Sequence, residues 1–411
     1  MNVFRWATNL FGGKSTEVST GGQINFPDHY LSTPAPVNED TALQLPTVMR
    51  CITLTANMIG SAPLSFTEEI NGARKKSDHI VWDLIQNKPN PYMSGTTFRQ
   101  TLALNLMLHG NFYARIARNS IGEPVALFVM PSQDTTPELQ ANGELIYRQQ
   151  LDPLIEGTHE KLHKAEDVFH IKGMGNGLTG LSPLAYHRST LGIAITQDKF
   201  QSDYFSSGGR PGGILSTEQI LTDEQRKKID QRLIAQMETA TSSHKTMILE
   251  GGFKYQSIAL SPQDMATLES RKYTTEDIAR IYGVPLSLLG IGELTNKSLP
   301  TEDVIRSWIS TDLGILFTKI EDEIRLKLMT RKERTKYNVE FESFKLLRHD
   351  FKTLSGIGTA AVTAGILTQN EARELMNKPP KEGEEYDTLR QQAQLVSAQS
   401  SNTNEGTPNG D

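Results

Sequence analysis

Two stretches of the chain open on Ser-Pro and close on glycine, and this pair constrains the fold more than any other feature. Ser182-Pro183 begins one stretch that runs to Gly208-Gly209; Ser261-Pro262 begins another that runs to Gly283-Val284-Pro285. Serine caps a helix N-terminus, and proline at the first helical position gives up an N–H that would be unpaired there anyway. Glycine followed by proline is the matching stop. At 1.5 Å per residue, each helix would reach about 30 to 38 Å, long enough to act as a strut. Between them lies a compact insert flanked by Gly208, Gly209, Pro211, Gly212 and Gly213. Its spacing predicts a helix capped by Thr222, with Gln225 three residues on and Ile229, Leu233 and Met237 at four-residue steps. A hairpin of 246–249 and 253–258, turned at Gly251-Gly252, is expected to follow. A lobe carried at the end of two rods is the natural geometry.

Before the first strut the pattern is mixed. Val48, Cys51, Ile52, Thr55 and Ile59 mark a helix stopped at Gly60 and Pro63, with a short strand over 64–66. A second helix is expected from Thr97 to Leu108, stopped at Gly110, then strands over 112–118 and 125–130. After the second strut comes a glycine-rich and polar loop, Gly290 to Pro300. It leads into a long helix, Glu302 to Thr330, with Ile305, Ile309, Leu313, Leu316, Ile320, Ile324 and Leu328 on one face. Glu321/Arg325 and Glu323/Lys327 stand in the favourable i, i+4 order along it. A strand over 338–342 and a helical cluster over 350–377, broken at Gly356, Gly358 and Gly365, complete the core, for an α+β class. The first 36 residues read as a flexible arm. From Lys378 three basic residues face six acidic ones and aromatics nearly vanish, which predicts a disordered tail.

Composition excludes several function classes. The single cysteine, Cys51, rules out internal disulfides and cysteine metal clusters, and its apolar neighbours make it a packing residue. With 42 Lys and Arg against 48 Asp and Glu, the chain lacks the overall basic excess of an electrostatic nucleic-acid binder. No apolar run reaches bilayer length and no secretory signal is evident, so the expectation is a protein without membrane contact, made in the cytoplasm of its producing cell.

Three motifs invite catalysis. His159-Glu160-Lys161-Leu162-His163 is a literal H-E-x-x-H, which on a helix would present two imidazoles to zinc with the glutamate as base, a peptidase alternative. Gly157 and Pro153 just upstream, and the strand-like Val168 to Ile171 downstream, leave room for about one helical turn. His170, the one candidate third ligand, belongs to that strand. Gly13-Lys14-Ser15-Thr16 resembles the end of a phosphate-binding loop but has Thr8 where the leading glycine belongs. The glycines from Gly173 to Gly180 read as a turn into the first strut rather than a dinucleotide site. The expectation is no enzyme, no cofactor and no metal. The basic run Arg331, Lys332, Arg334 and Lys336 reads either as solvated charge at a helix C-terminus or as a phosphate contact.

Read in order, Leu45-Pro46 with Val48 to Cys51, Pro89-Asn90-Pro91, Gly110-Asn111-Phe112-Tyr113, Asp167 to Ile171, Gly180-Leu181-Ser182-Pro183, Leu249 to Gly252, and Ile278-Ala279-Arg280 through Gly283-Val284-Pro285 to Leu289-Gly290 resemble the portal proteins of tailed bacteriophages. The resemblance spans residues 37 to 380. It implies a ring, typically of twelve subunits, at one capsid vertex, with double-stranded DNA in its channel. It also implies terminase and then a head-tail adaptor as partners, with major capsid or scaffold protein around the ring. Localisation would be the virion, with the host cytoplasm during assembly. By the same resemblance, 37–182 is the wing, 183–208 and 261–283 are the stem helices, and 209–260 is the clip. Residues 284–300 are the tunnel loop, 301–345 the channel helix and wing strand, and 346–377 the crown. The DNA-facing residues would be Gly290, Glu293, Thr295, Asn296, Lys297 and Ser298; the clip contacts would be Arg226, Lys227, Lys228 and Arg232. Another capsid ring or adaptor protein without channel duty is the remaining alternative.

Overall fold

The computed structural model describes residues 35–70, 73–77, 79–151, 159–206, 213–216, 222–223, 227, 254–257, 267–290, 301–346, 351–376 and 378–389. It forms two units, one ending at Phe341 and one starting at Glu342. Chain order in the first unit begins with α1 (Glu39–Leu43), capped by Asn38, and α2 (Pro46–Ser61), which has proline in its first turn and buries Val48, Cys51, Ile52, Thr55 and Ile59 as the periodicity predicts. Burial raises the Cys51 thiol to about 11, so it stays protonated and packs as an apolar group. Then come β1 (Leu64–Ile70), β2 (Ala73–Lys76), α3 (Ile80–Gln86) and α4 (Gly95–His109). Ser94 caps α4 through the Thr97 N–H, and Gly110 ends it at φ +67°.

Six strands follow: β3 (Asn111–Arg118), β4 (Pro124–Met130), β5 (Thr135–Leu139), β6 (Leu145–Gln150), β7 (Glu160–Lys164) and β8 (Val168–Lys172). They make two antiparallel three-stranded sheets, β4-β3-β8 and β5-β6-β7. Alternation along β3 sends Phe112 to one face, where it meets Phe98 of α4 edge-on at 5.4 Å and Phe169 of β8 at 6.5 Å. The other face carries Tyr113, Met130 and Val168 against Tyr147 of β6. The middle sheet is thus covered on both sides.

The first strut begins where expected but in two pieces, α5 (Pro183–Tyr186) and α6 (Arg188–Ser206). The Ser182 hydroxyl accepts from the Ala185 N–H and donates to the Leu108 carbonyl at 2.9 Å, which fastens the strut to the last turn of α4. His187, at φ −103° and ψ 22°, interrupts the helix for one residue. In the insert, β9 (Gly213–Ser216) pairs antiparallel with β10 (Lys254–Ser257). The partner described for the expected 253–258 strand is therefore a segment about 40 residues upstream; 246–249 lies outside the described residues, as does most of the helix capped by Thr222, of which Asp223 and Lys227 are helical.

The second strut is α7 (Thr267–Tyr282); its Ser261-Pro262 start lies outside the described residues. The long apolar-faced helix runs from Thr301 to Leu328 and is not uniformly α. It passes through α8 (Thr301–Trp308), a π turn (Ile309–Leu313), α9 (Gly314–Glu323) and a second π turn (Ile324–Leu328). Each π turn inserts an extra residue, which explains how a drifting apolar pattern keeps one face inward over 28 residues. The expected Glu/Arg and Glu/Lys pairs along it are not ion pairs. Glu321 accepts the Phe341 N–H at 2.7 Å, and Lys327 donates to the Ala165 carbonyl. After α10 (Arg331–Lys336), β11 (Tyr337–Phe341) joins β1 and β2 in the order β11-β1-β2.

In the second unit, α11 (Phe351–Thr363) runs unbroken through Gly356 and Gly358, contrary to the expected breaks. A Cβ at Gly358 would lie 3.2 Å from Met376 Cε and 3.6 Å from Ala372 Cβ, so the glycine serves close packing against α12 (Gln369–Leu375). Only Gly365, at φ +69°, interrupts the chain. Residues 378–389 are ordered where the composition predicted disorder. Asn370 donates to the Lys381 carbonyl at 2.9 Å and to Asp387 at 2.8 Å, and accepts from the Lys381 N–H at 2.8 Å, which ties down α13 (Glu384–Asp387).

Candidate functional site

The loop 291–300 lies outside the described residues, and with it Glu293, Thr295, Asn296, Lys297 and Ser298; its mount is described on both sides. At the end of α7 the Val284 N–H bonds the Ala279 carbonyl and the Gly283 N–H bonds the Arg280 carbonyl, the Schellman pattern, with Gly283 at φ +62°. Pro285 prevents the helix from resuming. One 3-10 turn, Leu286–Leu289, leads to Gly290 at φ +75°. On the far side, buried Trp308 donates its indole N–H to the Gly283 carbonyl at 2.7 Å. That bond locks the start of the long helix to the end of the strut, so the intervening loop springs from a fixed base. A Cβ at Gly283 would sit 2.8 Å from Asp312 Oδ1, so the glycine lets the first π turn lie close to the strut, and one at Gly314 would sit 2.8 Å from the Ile309 carbonyl oxygen, so that glycine leaves room for the π turn itself. An open cleft of about 330 Å³ beside this joint is lined by Glu276, Arg280, Pro285, Leu286 and Asp312. Its one arginine is engaged: Arg280 pairs with Glu276 at 3.2 Å and Asp277 at 2.6 Å.

Of the other expected contacts, Lys227 is exposed, whereas Arg226, Lys228 and Arg232 lie outside the described residues. Trp308, Asp312 and Gly314 did not stand out in the sequence; the one available signal was a tryptophan, one of three in the chain, on the first apolar stripe after the loop.

The H-E-x-x-H segment does not form the helix its chemistry requires. It lies in β7, antiparallel to β6 with Tyr147 opposite His163. Alternation sends His163 to the same face as Tyr147 and Glu160 to the opposite one. His163, 7% exposed, donates to Gln149 Oε1 at 3.0 Å, and Glu160 pairs with Arg148, which also holds Glu138 in a two-pronged bond. Among the described residues no cluster of three His, Cys, Asp or Glu could hold a metal ion. The zinc peptidase alternative is thereby withdrawn.

The family model for the phage portal protein matches residues 46–377. The chain belongs to this family of portal proteins. It is 30% identical to the portal protein of Enterobacteria phage HK97 over 393 residues, covering 94% of this chain and 90% of that one. It is 23% identical to the portal protein of Escherichia phage T5 over 390 residues, covering 87% and 88%. Among solved structures, an HK97 family phage portal protein from Corynebacterium diphtheriae superposes with a TM-score of 0.57 at 14% identity, over 76% of this chain and 99% of that one. The neck of an empty gene transfer agent particle gives 0.56 at 22% identity, over 85% and 97%. These two likenesses concern the fold. Family membership sets aside the reading of a non-portal adaptor. Among the described residues of this portal chain, no helix is long and apolar enough to cross a membrane.

A buried relay holds the portal strut to its sheets. Asn111 Oδ1 accepts from the Gly180 N–H at 2.7 Å, so the His170 nitrogen 3.1 Å away, Nε2, must be the donor. Nδ1 is then an acceptor and takes the Tyr147 hydroxyl proton at 3.1 Å. The Asn111 amide donates to the Gly180 and His109 carbonyls. Partners 23 and 59 residues from His170 close one network that no local spacing announces. Burial, aided by Lys172 and Lys327, pushes His170 down to about 2, so it stays neutral in the fold.

A pH dependence follows. An unfolded histidine takes a proton near pH 6.5, so below that pH the unfolded state binds a proton that the folded state refuses. The His170 contribution therefore falls with a slope that approaches about 1.4 kcal/mol per pH unit below pH 6.5, roughly 2 kcal/mol in all between pH 6.5 and 4.5. Glu323, raised chiefly by burial against the pull of Lys327, acts in the opposite sense, because the fold protonates it first. Comparing wild type with His170→Gln isolates the histidine. On acidification wild type should lose stability faster than the variant in thermal melts, and parallel curves would refute the assignment.

Proposed function

We infer that copies of this chain assemble into a ring, of twelve subunits, at one vertex of a capsid, and that double-stranded DNA passes through the ring during packaging and ejection. In this reading 37–182 is the wing, α5, α6 and α7 are the stem, 209–260 is the clip that meets terminase and later the head-tail adaptor, 301–345 is the channel helix with its wing strand, and 346–377 is the crown. The protein acts by shape and charge rather than catalysis. Its place is the virion, where major capsid or scaffold protein surrounds the ring. The observation that carries the reading is the mount at Gly283 and Trp308. Two helices joined by that hydrogen bond flank the segment 291–300, and a ring of such segments would present one Lys297 per subunit to the bore. Family membership and the neck structures of gene transfer agent particles, computed with C6 and C12 symmetry, support it. A sparse ring of lysines on a chain of net charge −6 suits a conduit, since a densely basic wall would hold DNA through many phosphate contacts.

The test has two parts. Light scattering of the purified chain should give about 548 kDa, twelve copies of 45.7 kDa, with a central hole in negative stain. A monomer at every salt and protein concentration, with scaffold protein present or absent, would count against the ring. Lys297→Ala should preserve ring mass and alter DNA packaging or retention; loss of assembly would remove 291–300 from the bore.

A further inference from the structure

The run 325–336 carries six Lys or Arg and a single glutamate, in a chain whose acids outnumber its bases. As charge at a helix C-terminus it would need no partner. The structure does not support that account for all of it: the long helix ends at Leu328, and Arg331 and Lys332 open a new helix, α10, where the dipole gives cations nothing. Arg118 and Arg334 already serve the carbonyls of Lys327 and Met329.

The sheet adds a second basic run that is remote in sequence. Glu68 of β1 stands opposite Lys75 of β2 on one side and Tyr337 of β11 on the other. At about 4.8 Å between strands, Lys75 therefore lies about 10 Å from Tyr337, the residue after α10, on the face it shares with Glu68, whereas Lys76 alternates to the opposite face; Lys332 stands one helical turn before Lys336, which reaches Glu68. Three carboxylates described nearby are engaged: Glu68 with Lys336 at 2.9 Å, Glu333 with the Thr330 N–H and His79, and Glu340 with Asn338. Lys75, Lys76, Arg331 and Lys332 are exposed and have no ion-pair or hydrogen-bond partner among the described residues.

We propose that Lys75, Arg331 and Lys332 form a second nucleic-acid surface, separate from the 291–300 loop, that binds the phosphate backbone of duplex DNA without reading sequence. The proposal rests on the portal reading for its partner. The patch offers flexible point charges, which suit a duplex backbone rather than stacked single-stranded bases.

The probe is a fluorescent duplex of about 30 base pairs titrated with the full-length protein from about 50 to 200 mM salt. Replacing the three residues together, K75Q/R331Q/K332Q, should weaken binding at least tenfold at low salt and lower the salt slope by about 2 to 3, near 0.9 for each phosphate no longer neutralised. Melting temperature and particle mass should not change, because the side chains are exposed and unpaired. Lys297→Ala should leave this share of the slope in place. A triple variant of unchanged mass that binds duplex like wild type overturns the patch and leaves the portal reading standing. Wild type that ignores duplex but binds poly-glutamate would make the surface a protein contact and also overturn it. Failure of wild type to form rings would strike the portal reading instead.

Discussion

Gly110→Ala is expected to be the most damaging single-methyl change in the described part of the chain, costing more than about 4 kcal/mol and leaving much of the protein insoluble. Two effects combine. Gly110 sits at φ +67°, which costs an alanine about 1 to 2 kcal/mol. Its Cβ would also lie 1.9 Å from the Leu181 carbonyl oxygen and 2.6 Å from its carbon, both backbone atoms. Neither side has room to yield, because Gly110 O already accepts the Gly173 N–H at 2.7 Å and Asn111 grips Gly180 through two hydrogen bonds. Gly122→Ala is the control: its φ is +87° but nothing stands within 4 Å of the added methyl. Thermal melts and limited proteolysis should show a modest loss for Gly122→Ala and a severe one for Gly110→Ala; similar losses would mean that backbone conformation, not close approach, governs the site.

Arg99→Met should cost roughly 3 to 5 kcal/mol, the range for removing one partner of a buried charged network. Arg99 is 2% exposed within α4, yet burial lowers it only to about 10, so it is charged at neutral pH. Its guanidinium donates to the Gly60 carbonyl at 2.7 Å and to the Ile85 carbonyl at 2.8 Å, with a longer contact to Gln86 at 3.4 Å. Gly60 is in the last turn of α2, and Ile85 and Gln86 end α3. One cation thus satisfies the orphan carbonyls of two helix ends, where the dipoles also favour positive charge. Methionine fills the volume and leaves those carbonyls unpaired in a dry interior. Lysine keeps the charge but lacks the planar fork that spans both ends, so Arg99→Lys should rescue only a minor part of the loss. If Arg99→Lys melts like wild type, charge alone suffices and the bridging role is wrong.

Much of the helical framework was legible because caps and stops act within one helical turn. Ser182, Gly110 and Gly283 mark helix ends by interactions with residues at most five positions away, and all three do so in the structure. Alternation likewise identified β3, β4 and β11 as strands. Periodicity says which face of an element is buried but not what covers it. That β11 would pair with β1, some 270 residues earlier, depended on two hydrophobic faces meeting in space. The same limit hid the strand state of H-E-x-x-H, whose short apolar alternation is decided by Tyr147 and β6 rather than by its own residues. Asn370 ordered 378–389 through three bonds that composition cannot register.

The sequence by itself determined the class, the Ser182 cap of the first strut, the glycine stops at Gly110 and Gly283 and, through the order of its motifs, the family. The tertiary structure alone decided the buried relay at His170, the cation at Arg99, the π turns and the meeting of two basic runs beside Glu68. The physical reason is range: capping, turn conformation and side-chain period are energies of neighbouring residues, whereas burial of a charge and strand pairing exist only after distant segments have closed around them.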